Sequence, residues 1–421
     1  MAHHYLDQGV GALSSARAGA ERPSDDDTAV TRIAVEKATG EKTADKKTFY
    51  QGTHRTCSPE QTWRRVSPCF PKVGISRVAD VTRLDRIGIP VYQAIRPRSL
   101  NLSVSQGKGA SSIAAKVSAV MEAIELWHVE DLSHVPQEVT ALREMDRHNP
   151  IPASSLRWLS DARSFGALPI PWLVLDSLTR ERRGWLPRQM AELDFTTDTC
   201  LQPRMFMQTS NGLASGNTRE EALLHGLCEL IERHGVFLAK DDVSRRRGLD
   251  PDSIETAFCR RPLQQMLDAG MRVGIYDLTW EVAVPTILVE LVGDDLPVVW
   301  RGSGTHPSSE VALSRALTEA AQSRLTFIAG ARDDLPETSP GLDPQGFFHH
   351  FQEPPPERRL HEIADLSSPS VEQDLDRVLA ELHRNGFEPF GVALDRSDLG
   401  LDVPIPVALT YVPGLLEVTH G

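Results

Sequence analysis

Three long segments of the chain place apolar residues three and four positions apart, which is the spacing of one helix face. Each segment follows a short run rich in glycine and other small or polar residues. The helical segments lie at 111–130, 218–240 and 309–328, the preceding runs at 105–109, 210–217 and 302–307, and two shorter helices at 58–66 and 371–385. Short apolar runs predict strands at 90–94, 100–104, 169–176, 298–301 and 403–411. A unit of strand, glycine-bearing turn and long helix is therefore predicted three times.

This alternation predicts an α/β (α+β) fold, in which the repeated units pack on mixed sheets around one composite core. No composition change divides residues 47–421, so we expect them to form a single domain. Residues 1–46 hold charged and small residues and one aromatic residue, Tyr5. Such a segment cannot bury enough apolar surface to fold alone, and we expect a disordered N-terminal arm.

Composition and charge exclude several classes of protein. The 421 residues are 40% hydrophobic, and no run of about 18 apolar residues provides a membrane span or secretory signal, so we expect a cytoplasmic protein without membrane contact. Lys and Arg number 45 against 58 Asp and Glu, and this net charge of −13 argues against a nucleic-acid partner. The five cysteines form no C-x-x-C pair, which fits reduced thiols better than disulfides or a zinc site.

Acidic side chains share faces on the three long helices because residues three and four apart lie on one side. The residues that share a face are Ser118, Glu122 and Glu125 on the first helix, Glu221, His225, Glu229 and Glu232 on the second, and Arg315, Glu319 and Gln322 on the third. Taken alone, the second helix favours a solvated acidic face opposite leucines. The third, taken alone, favours an ordinary surface ion pair.

Taken together, the first two helices repeat one spacing, since Glu122 and Glu125 recur as Glu229 and Glu232. Paired carboxylates are hard oxygen ligands suited to Mg²⁺, which takes much of its remaining shell from water and phosphates. An anionic nucleotide in an acidic protein also needs local cations. The candidate cations are Lys108, Arg233, Arg315 and Arg55. The sequence therefore predicts a Mg²⁺–nucleotide site, although it has neither a P-loop nor the kinase signatures.

Two other chemistries fit parts of this pattern. A carboxylate-bridged di-iron site needs Glu-x-x-His on each of two helices, and Glu125 with His128 provides one of them. Bound iron without a need for ATP would identify such a site. A nucleophile triad would draw on Ser105, Ser118 or Cys228, but the sequence has no G-x-S-x-G element. Both alternatives rank below the Mg²⁺–nucleotide site.

Three blocks of sequence carry a family resemblance. They are 105–109 (SQGKG) with 118–125 (SAVMEAIE), 210–218 (SNGLASGNT) with 226–233 (GLCELIER), and 315–320 (RALTEA) with 322–324 (QSR). These blocks occur in the order found in the YcaO family, and the chain resembles that family over about residues 48–416. The resemblance implies the YcaO fold and an ATP-dependent enzyme that phosphorylates the oxygen of a peptide backbone amide.

The resemblance also assigns roles to individual residues. The implied Mg²⁺ ligands are Glu122, Glu125, Glu221, Glu229 and Glu232. The implied ATP-binding residues are Arg55, Thr62, Ser118, Asn217, Glu221, Arg233, Arg315 and Glu319, of which Arg233, Arg315 and Glu319 are expected to be catalytic. Arg55 stands where the family has a lysine, and Ala214 stands where some members have a serine. No general base follows from the sequence, and His225 fits a structural histidine better than a base.

The family has two branches that bear on this chain. Azoline-forming members cyclise Cys, Ser or Thr onto the preceding amide, and many end in a proline-rich tail, whereas this sequence ends EVTHG. Segment 74–92 and Arg96-Pro97-Arg98-Ser99 resemble members encoded beside TfuA proteins, which install backbone thioamides. We therefore expect a thioamide-forming enzyme, a homodimer, whose partners are a precursor peptide and a TfuA-like protein. Azoline formation and a non-catalytic nucleotide-binding peptide scaffold are the alternatives.

Overall fold

The computed structural model describes residues 46–159, 165–196, 203–330, 343–396, 399 and 404–416, all within one compact unit of the chain. The helices are α1 (Pro59–Val66), α2 (Phe70–Val73), α3 (Ser112–His128), α4 (Leu142–Met145), α5 (Arg188–Ala191), α6 (Arg219–Asp241), α7 (Ala257–Asp268), α8 (Ser309–Ala329), α9 (Pro344–His350) and α10 (Val371–Arg384). The predicted N-terminal arm lies outside the described residues except for Lys46. The combination of helices and several sheets confirms the predicted α/β fold class.

Among the described residues the strands form three sheets, and their pairs are all antiparallel rather than mixed as predicted. The strands are β1 (Arg77–Asp80), β2 (Val91–Ile95), β3 (Val104–Lys108), β4 (Gln137–Ala141), β5 (Pro169–Ser177), β6 (Arg183–Pro187), β7 (Leu213–Ser215), β8 (Arg247–Gly248), β9 (Arg272–Asp277), β10 (Thr286–Val292), β11 (Trp300–Thr305), β12 (Phe390–Ala393) and β13 (Val407–Tyr411). Their orders are β1-β2-β3, β11-β10-β9-β8 and β4-β5-β12-β13-β7, with β6 paired to β5. The strands directly before α3, α6 and α8 are β3, β7 and β11, and they belong to three different sheets. β7 lies within the run predicted as a turn, and the strand predicted at 169–176 is β5 of the same sheet.

Side-chain caps explain why two of the long helices, α3 and α6, begin where the sequence predicts. Ser111 accepts a hydrogen bond from the backbone nitrogen of Ala114 at the start of α3, and Thr218 accepts one from Glu221 at the start of α6. Such caps satisfy amide groups that have no partner within the helix. The predicted helices at 111–130, 218–240 and 309–328 are confirmed to within a few residues at each end.

All three predicted glycine-bearing turns contain strand residues, and in the first and third Gly107 and Gly302 themselves lie within strands. The strand predicted at 100–104 overlaps β3 only at Val104, because β3 covers the predicted turn as far as Lys108, and β11 continues from Trp300 through residues 302–305. A Cβ atom on Gly107 would lie 2.0 Å from the backbone nitrogen of Ala119 in α3. One on Gly302 would lie 2.2 Å from the backbone nitrogen of Ala320 in α8. Glycine lets each helix lie directly against its strand.

The three long helices meet where the sheets adjoin one another. α3 packs on β2, β3 and β7, whereas α6 packs on β7, β13, β10 and β11. α8 packs on β10 and β11 and also reaches β3. Each helix that carries the predicted site residues therefore contacts two of the sheets, which brings segments distant in sequence into one region.

Within the described residues, three larger apolar cores stabilise this arrangement. The largest lies around α3 and β5 and includes Ile124, Trp172 and Phe390, each at most 1% exposed. The second forms between α8, α7 and the sheet of β8 to β11, and the third between α6, α10 and β13. Within the described ranges, no helix combines the length and hydropathy that crossing a bilayer requires.

A carboxylate at the edge of β12 gives a pH-dependent prediction. Glu388 accepts hydrogen bonds from Ser177 Oγ and Arg182 Nε, both at 2.7 Å. Burial raises the pKa of Glu388, but the hydrogen bonds from Arg182 and Ser177 outweigh burial and hold the pKa below 4.5. Because the folded-state pKa is depressed, this contribution to stability is present at neutral pH and is lost as the pH falls below 4.5.

We therefore expect Glu388→Gln to lower the free energy of unfolding by about 1 kcal/mol at pH 7 and by less near pH ~3.5. Urea unfolding at the two pH values measures the difference. An equal loss at both would show that the charge of Glu388 contributes nothing.

Candidate functional site

The first group of predicted residues joins α3 to α6 through β7. Glu125 accepts hydrogen bonds from the backbone nitrogen of Ser215 at 2.8 Å and from Ser215 Oγ at 2.5 Å. Burial, together with the charges of the neighbouring carboxylates Glu122 and Glu229, outweighs the hydrogen bonds from Ser215 and raises the pKa of Glu125 to about 8. Glu229 in turn accepts from the backbone nitrogen of Gly212 at 3.2 Å. Three carboxylates from two helices are thus close enough to repel one another.

The second group lies between α6, α8 and β11. Glu232 is 6% exposed and accepts a hydrogen bond from Ser303 Oγ at 2.8 Å. Burial and the charge of Glu319 raise the pKa of Glu232. The pKa of Glu319 is instead lowered, because the Lys108 ammonium that contacts it and Arg233 outweigh burial. Here two carboxylates share one group of cations.

Arg233 links the first two groups. Its guanidinium lies 3.4 Å from a carboxylate oxygen of Glu229. Burial would lower the pKa of Arg233, but the charges of Glu229, Glu232 and Glu319 raise it above the usual value. The guanidinium is therefore positively charged and held among carboxylates from both α6 and α8.

The third group surrounds the start of α6. Glu221 is 2% exposed. Its carboxylate accepts hydrogen bonds from the backbone nitrogen of Thr56, at 2.6 Å, and from the Thr56 hydroxyl, at 2.8 Å. The guanidinium of Arg55 lies 3.6 Å from the same carboxylate. Asn217 also donates to Glu221, while its side-chain oxygen accepts from Thr62 Oγ1 at 2.8 Å. Arg55 and Thr62, which match the family only by their spacing, therefore reach the residues expected to act with them.

A small cleft, about 20 Å³ in volume, joins the third group to α8. Its lining includes Arg55, Glu221 and Arg315, which the sequence predicts, together with His54 and His306. Arg315 donates a hydrogen bond to the His225 ring across the cleft. The solvated face and the surface ion pair that α6 and α8 favour when taken alone are therefore not what the structure shows. The acidic face of α6 is largely buried, and Arg315 and Glu319 bond to residues outside α8.

Sequence reasoning missed several polar residues of this region. Thr56, Ser215, Ser303 and His306 have no charge and no recurrent spacing that distinguishes them. The only signals were the position of Thr56 beside Arg55 and the lack of bulky residues around Ser215 and Ser303. Ser118 lies half-buried on α3, one turn before Glu122.

The donor set fits Mg²⁺ held partly by a ligand. Across the described part of the chain, no three His, Cys, Asp or Glu side chains converge into a closed metal-binding group. Mg²⁺ seldom needs one, because it keeps several waters and commonly binds one or two carboxylates together with phosphates. Burial is the main cause of the raised pKa of Glu125, and repulsion from Glu122 and Glu229 adds to it; a divalent cation relieves that repulsion. Lys108, Arg233 and Arg315 add the positive charge that phosphates require.

The di-iron alternative loses support from the geometry of α3. The ring of His128 is fully buried, and its Nδ1 lies 2.8 Å from the backbone oxygen of Ile124. Burial lowers the pKa of His128 to about 4. His128 therefore packs in the core, whereas Glu125 bonds to Ser215 on β7.

Similarity to known proteins identifies the family. Residues 106–416 match a family model described as YcaO cyclodehydratase, ATP- and Mg²⁺-binding. An uncharacterised protein in the tfuA 3′ region of Rhizobium leguminosarum bv. trifolii is 36% identical over 294 residues, covering 67% of this chain and 69% of that protein.

Two solved structures share the fold at 20% identity. The first is YcaO from Methanopyrus kandleri, bound with AMPPCP and Mg²⁺, with a TM-score of 0.68. The alignment covers 88% of this chain and 94% of the Methanopyrus chain. A heterocyclase in complex with substrate and cofactor has a TM-score of 0.72 over 92% of this chain, which spans 55% of that protein's length. The family match covers all the predicted site residues on α3, α6 and α8, and the chain belongs to the YcaO cyclodehydratases, a family of ATP- and Mg²⁺-binding enzymes.

Proposed function

We propose that this enzyme uses ATP and Mg²⁺ to phosphorylate a backbone amide oxygen of a precursor peptide, and that sulfur then replaces that oxygen to give a thioamide. The observation that carries the proposal is the meeting of carboxylates from α3, α6 and α8 with three cations in one region. An acidic chain with a net charge of −13 can bind a triphosphate only where such a local arrangement reverses the repulsion.

In this proposal the site residues take distinct roles. Glu122, Glu125, Glu221, Glu229 and Glu232 would hold Mg²⁺, which neutralises phosphate charge when bound. Arg233 and Arg315 stabilise the negative charge on the transferring phosphoryl group. Glu319 orients Lys108 and balances the cations around it. Arg55, Thr62, Ser118 and Asn217 complete the nucleotide site.

The proposed chemistry follows from the poor leaving ability of an amide oxygen. Sulfide adds to the carbonyl carbon, and transfer of the γ-phosphoryl group of ATP to the amide oxygen gives a phosphate ester. ADP leaves after the transfer, and the carbon–oxygen bond then breaks as the added sulfur loses its proton, releasing phosphate and leaving a C=S group. No electrons are gained or lost overall, so the reaction needs ATP and a sulfide donor but no oxidant.

Two observations support the TfuA branch and a TfuA-like partner. The Rhizobium relative lies in a tfuA 3′ region. Segment 74–92 and residues 96–99, which resemble that branch, form β1, β2 and a loop held by Arg96. The Arg96 guanidinium is nearly buried and donates to Val73, Ser99 and Glu130. This part of the motif therefore stabilises the loop, while Arg98 next to it is exposed.

The experiment combines the protein with ATP, Mg²⁺, sulfide, a TfuA-like protein and a candidate precursor peptide. We expect ATP consumption that depends on the peptide, and a product about 16 Da heavier. Glu229→Gln is expected to lower turnover about a hundredfold, because it removes one carboxylate of the crowded group. Asp241→Asn, an exposed change on the same helix, serves as the control and is expected to leave turnover unchanged.

Other outcomes separate the alternatives. A peptide lighter by about 18 Da would show azoline formation, which the family name and the heterocyclase structure favour as the second candidate function. Peptide modification that Glu229→Gln leaves intact would contradict catalysis at this site and favour a scaffold. The expected homodimer stays a prediction, for which sedimentation of the full chain is the measurement.

A further inference from the structure

His225 lies in the middle of the acidic face of α6. It follows Glu221 by four residues and precedes Glu229 by four, so about one helical turn separates it from each. Its side chain lines the cleft together with Arg55 and Arg315. The family resemblance assigns roles to Arg55 and Arg315 but none to His225. The contacts of His225 nevertheless indicate a role.

The contact between His225 and Arg315 defines the state of the imidazole. Nη2 of Arg315 bonds to Nε2 of His225. A guanidinium has donors only, so Nε2 accepts and the ring is neutral, with its proton on Nδ1. Burial and the charges of Arg315, Arg55 and Lys108 lower the pKa of His225 well below 6.5, which agrees with a neutral ring.

A neutral partner has a consequence for the charge of Arg315. A carboxylate in the position of His225 would orient the guanidinium but would also cancel its charge. Among the described residues, no carboxylate lies within the 4.0 Å ion-pair distance of Arg315. Its charge acts at longer range, where it contributes to lowering the pKa of Glu232 and of Glu319. The imidazole therefore holds the guanidinium in place while its positive charge stays available to an anion in the cleft.

We infer that His225 is a positioning residue, which fixes Arg315 toward an anionic phosphate oxygen of the nucleotide without neutralising it. This inference rests on the proposed function, because it takes the anion to be part of ATP. The residue acts through Arg315 and does not itself touch the transferring group.

The test compares three replacements of His225 in the full chain. His225→Gln keeps a neutral acceptor, His225→Leu removes it, and His225→Glu introduces a charged one. We expect kcat at saturating ATP to fall at least about tenfold in the Leu and Glu variants, with KM for ATP within about threefold, and to recover in the Gln variant. If the hydrogen bond were merely structural, kcat of the His225→Glu variant would be at least as high as that of the His225→Gln variant.

A double-mutant cycle isolates the dependence on Arg315. In an Arg315→Met background, His225→Leu is expected to cause no further loss of kcat, because the group it positions is gone. His234→Asn on the same helix is the control, since asparagine can still accept the hydrogen bond that His234 Nδ1 receives from Leu416. If His225→Leu does not fold, the comparison of the Gln and Glu variants by itself decides the outcome.

Calorimetry with Mg²⁺ and a non-hydrolysable ATP analogue separates two kinds of failure. A wild-type chain that binds no analogue would overturn the proposed function and this inference together. A wild-type chain that binds and turns over ATP, with kcat unchanged by His225→Leu, would overturn the inference alone. Equal kcat in the Gln and Glu variants would do the same.

Discussion

Replacing Gly302 by alanine is expected to lower the free energy of unfolding by about 3 kcal/mol or more. The added Cβ would lie 2.2 Å from the backbone nitrogen of Ala320 and 2.3 Å from the backbone oxygen of Ala316. Both atoms belong to the main chain of α8, so no side chain can rotate away, and the helix itself must move off β11. Chemical denaturation with a far-ultraviolet circular dichroism signal measures the loss.

The same replacement is expected to weaken the functional site. Gly302 precedes Ser303, the hydrogen-bond donor to Glu232, and faces the turn of α8 that carries Glu319. Any movement of α8 away from β11 therefore separates Glu232 from Glu319. We expect binding of a non-hydrolysable ATP analogue to weaken at least about tenfold under conditions where the variant is still folded.

Gly235→Ala provides the matched control. Gly235 lies within α6, and its added Cβ would be 3.3 Å from the methyl group of Thr286, which can shift slightly. Alanine also favours a helix over glycine by up to about 1 kcal/mol. The free energy of unfolding is expected to change by no more than about 1 kcal/mol. If Gly302→Ala lowered the free energy of unfolding no more than this control does, close packing of α8 would not be the reason for glycine in β11.

Replacing Lys47 by methionine is expected to lower the free energy of unfolding by about 3–5 kcal/mol. The Lys47 ammonium contacts the carboxylate of Asp374 and donates to the backbone oxygen of Ser368 at 2.7 Å. The side chains of Lys47 and Asp374 are 1% and 0% exposed. Methionine fills the space of the lysine stem but leaves Asp374 buried without its cation.

The Lys47 pair also matters for the site. Lys47 precedes the segment that carries Arg55 and Thr56 to Glu221, and its contact ties that segment to α10. Two further variants make the test specific, measured by the same unfolding experiment. Lys46→Met changes an exposed neighbour and is expected to have little effect, whereas adding Asp374→Leu to Lys47→Met is expected to restore part of the loss by removing the unpaired charge. If Lys47→Met alone were as stable as the wild-type chain, the ion pair between Lys47 and Asp374 would not be stabilising.

Some features of this protein follow from sequence because they are local. Caps such as Ser111 and Thr218, together with the apolar spacing, determine where the long helices begin. The Glu-x-x-Glu spacing places Glu122 with Glu125 on one side of α3 for the same reason, since residues three apart share a helix face whatever surrounds them. The family resemblance rests on these local patterns, and the match over residues 106–416 confirms it.

The roles of the glycine runs could not be predicted from local pattern. Glycine favours turns and also permits close packing of a helix on a strand, and a single sequence does not distinguish the two. At Gly107 and Gly302 the deciding contacts come from α3 and α8, which pack on the strands that precede them. Only the tertiary structure shows that these residues lie within strands.

The burial of the acidic faces also depends on distant parts of the chain. The α6 pattern is that of a solvated helix, yet Glu221 is covered by Thr56, 165 residues before it, and Glu232 by Ser303, 71 residues after it. Glu319 meets Lys108 across 211 residues. A carboxylate is tolerated inside a protein only when donors or cations surround it. The sequence alone therefore determined which residues share a helix face, and the packing of three helices on three sheets decided which of those faces meet.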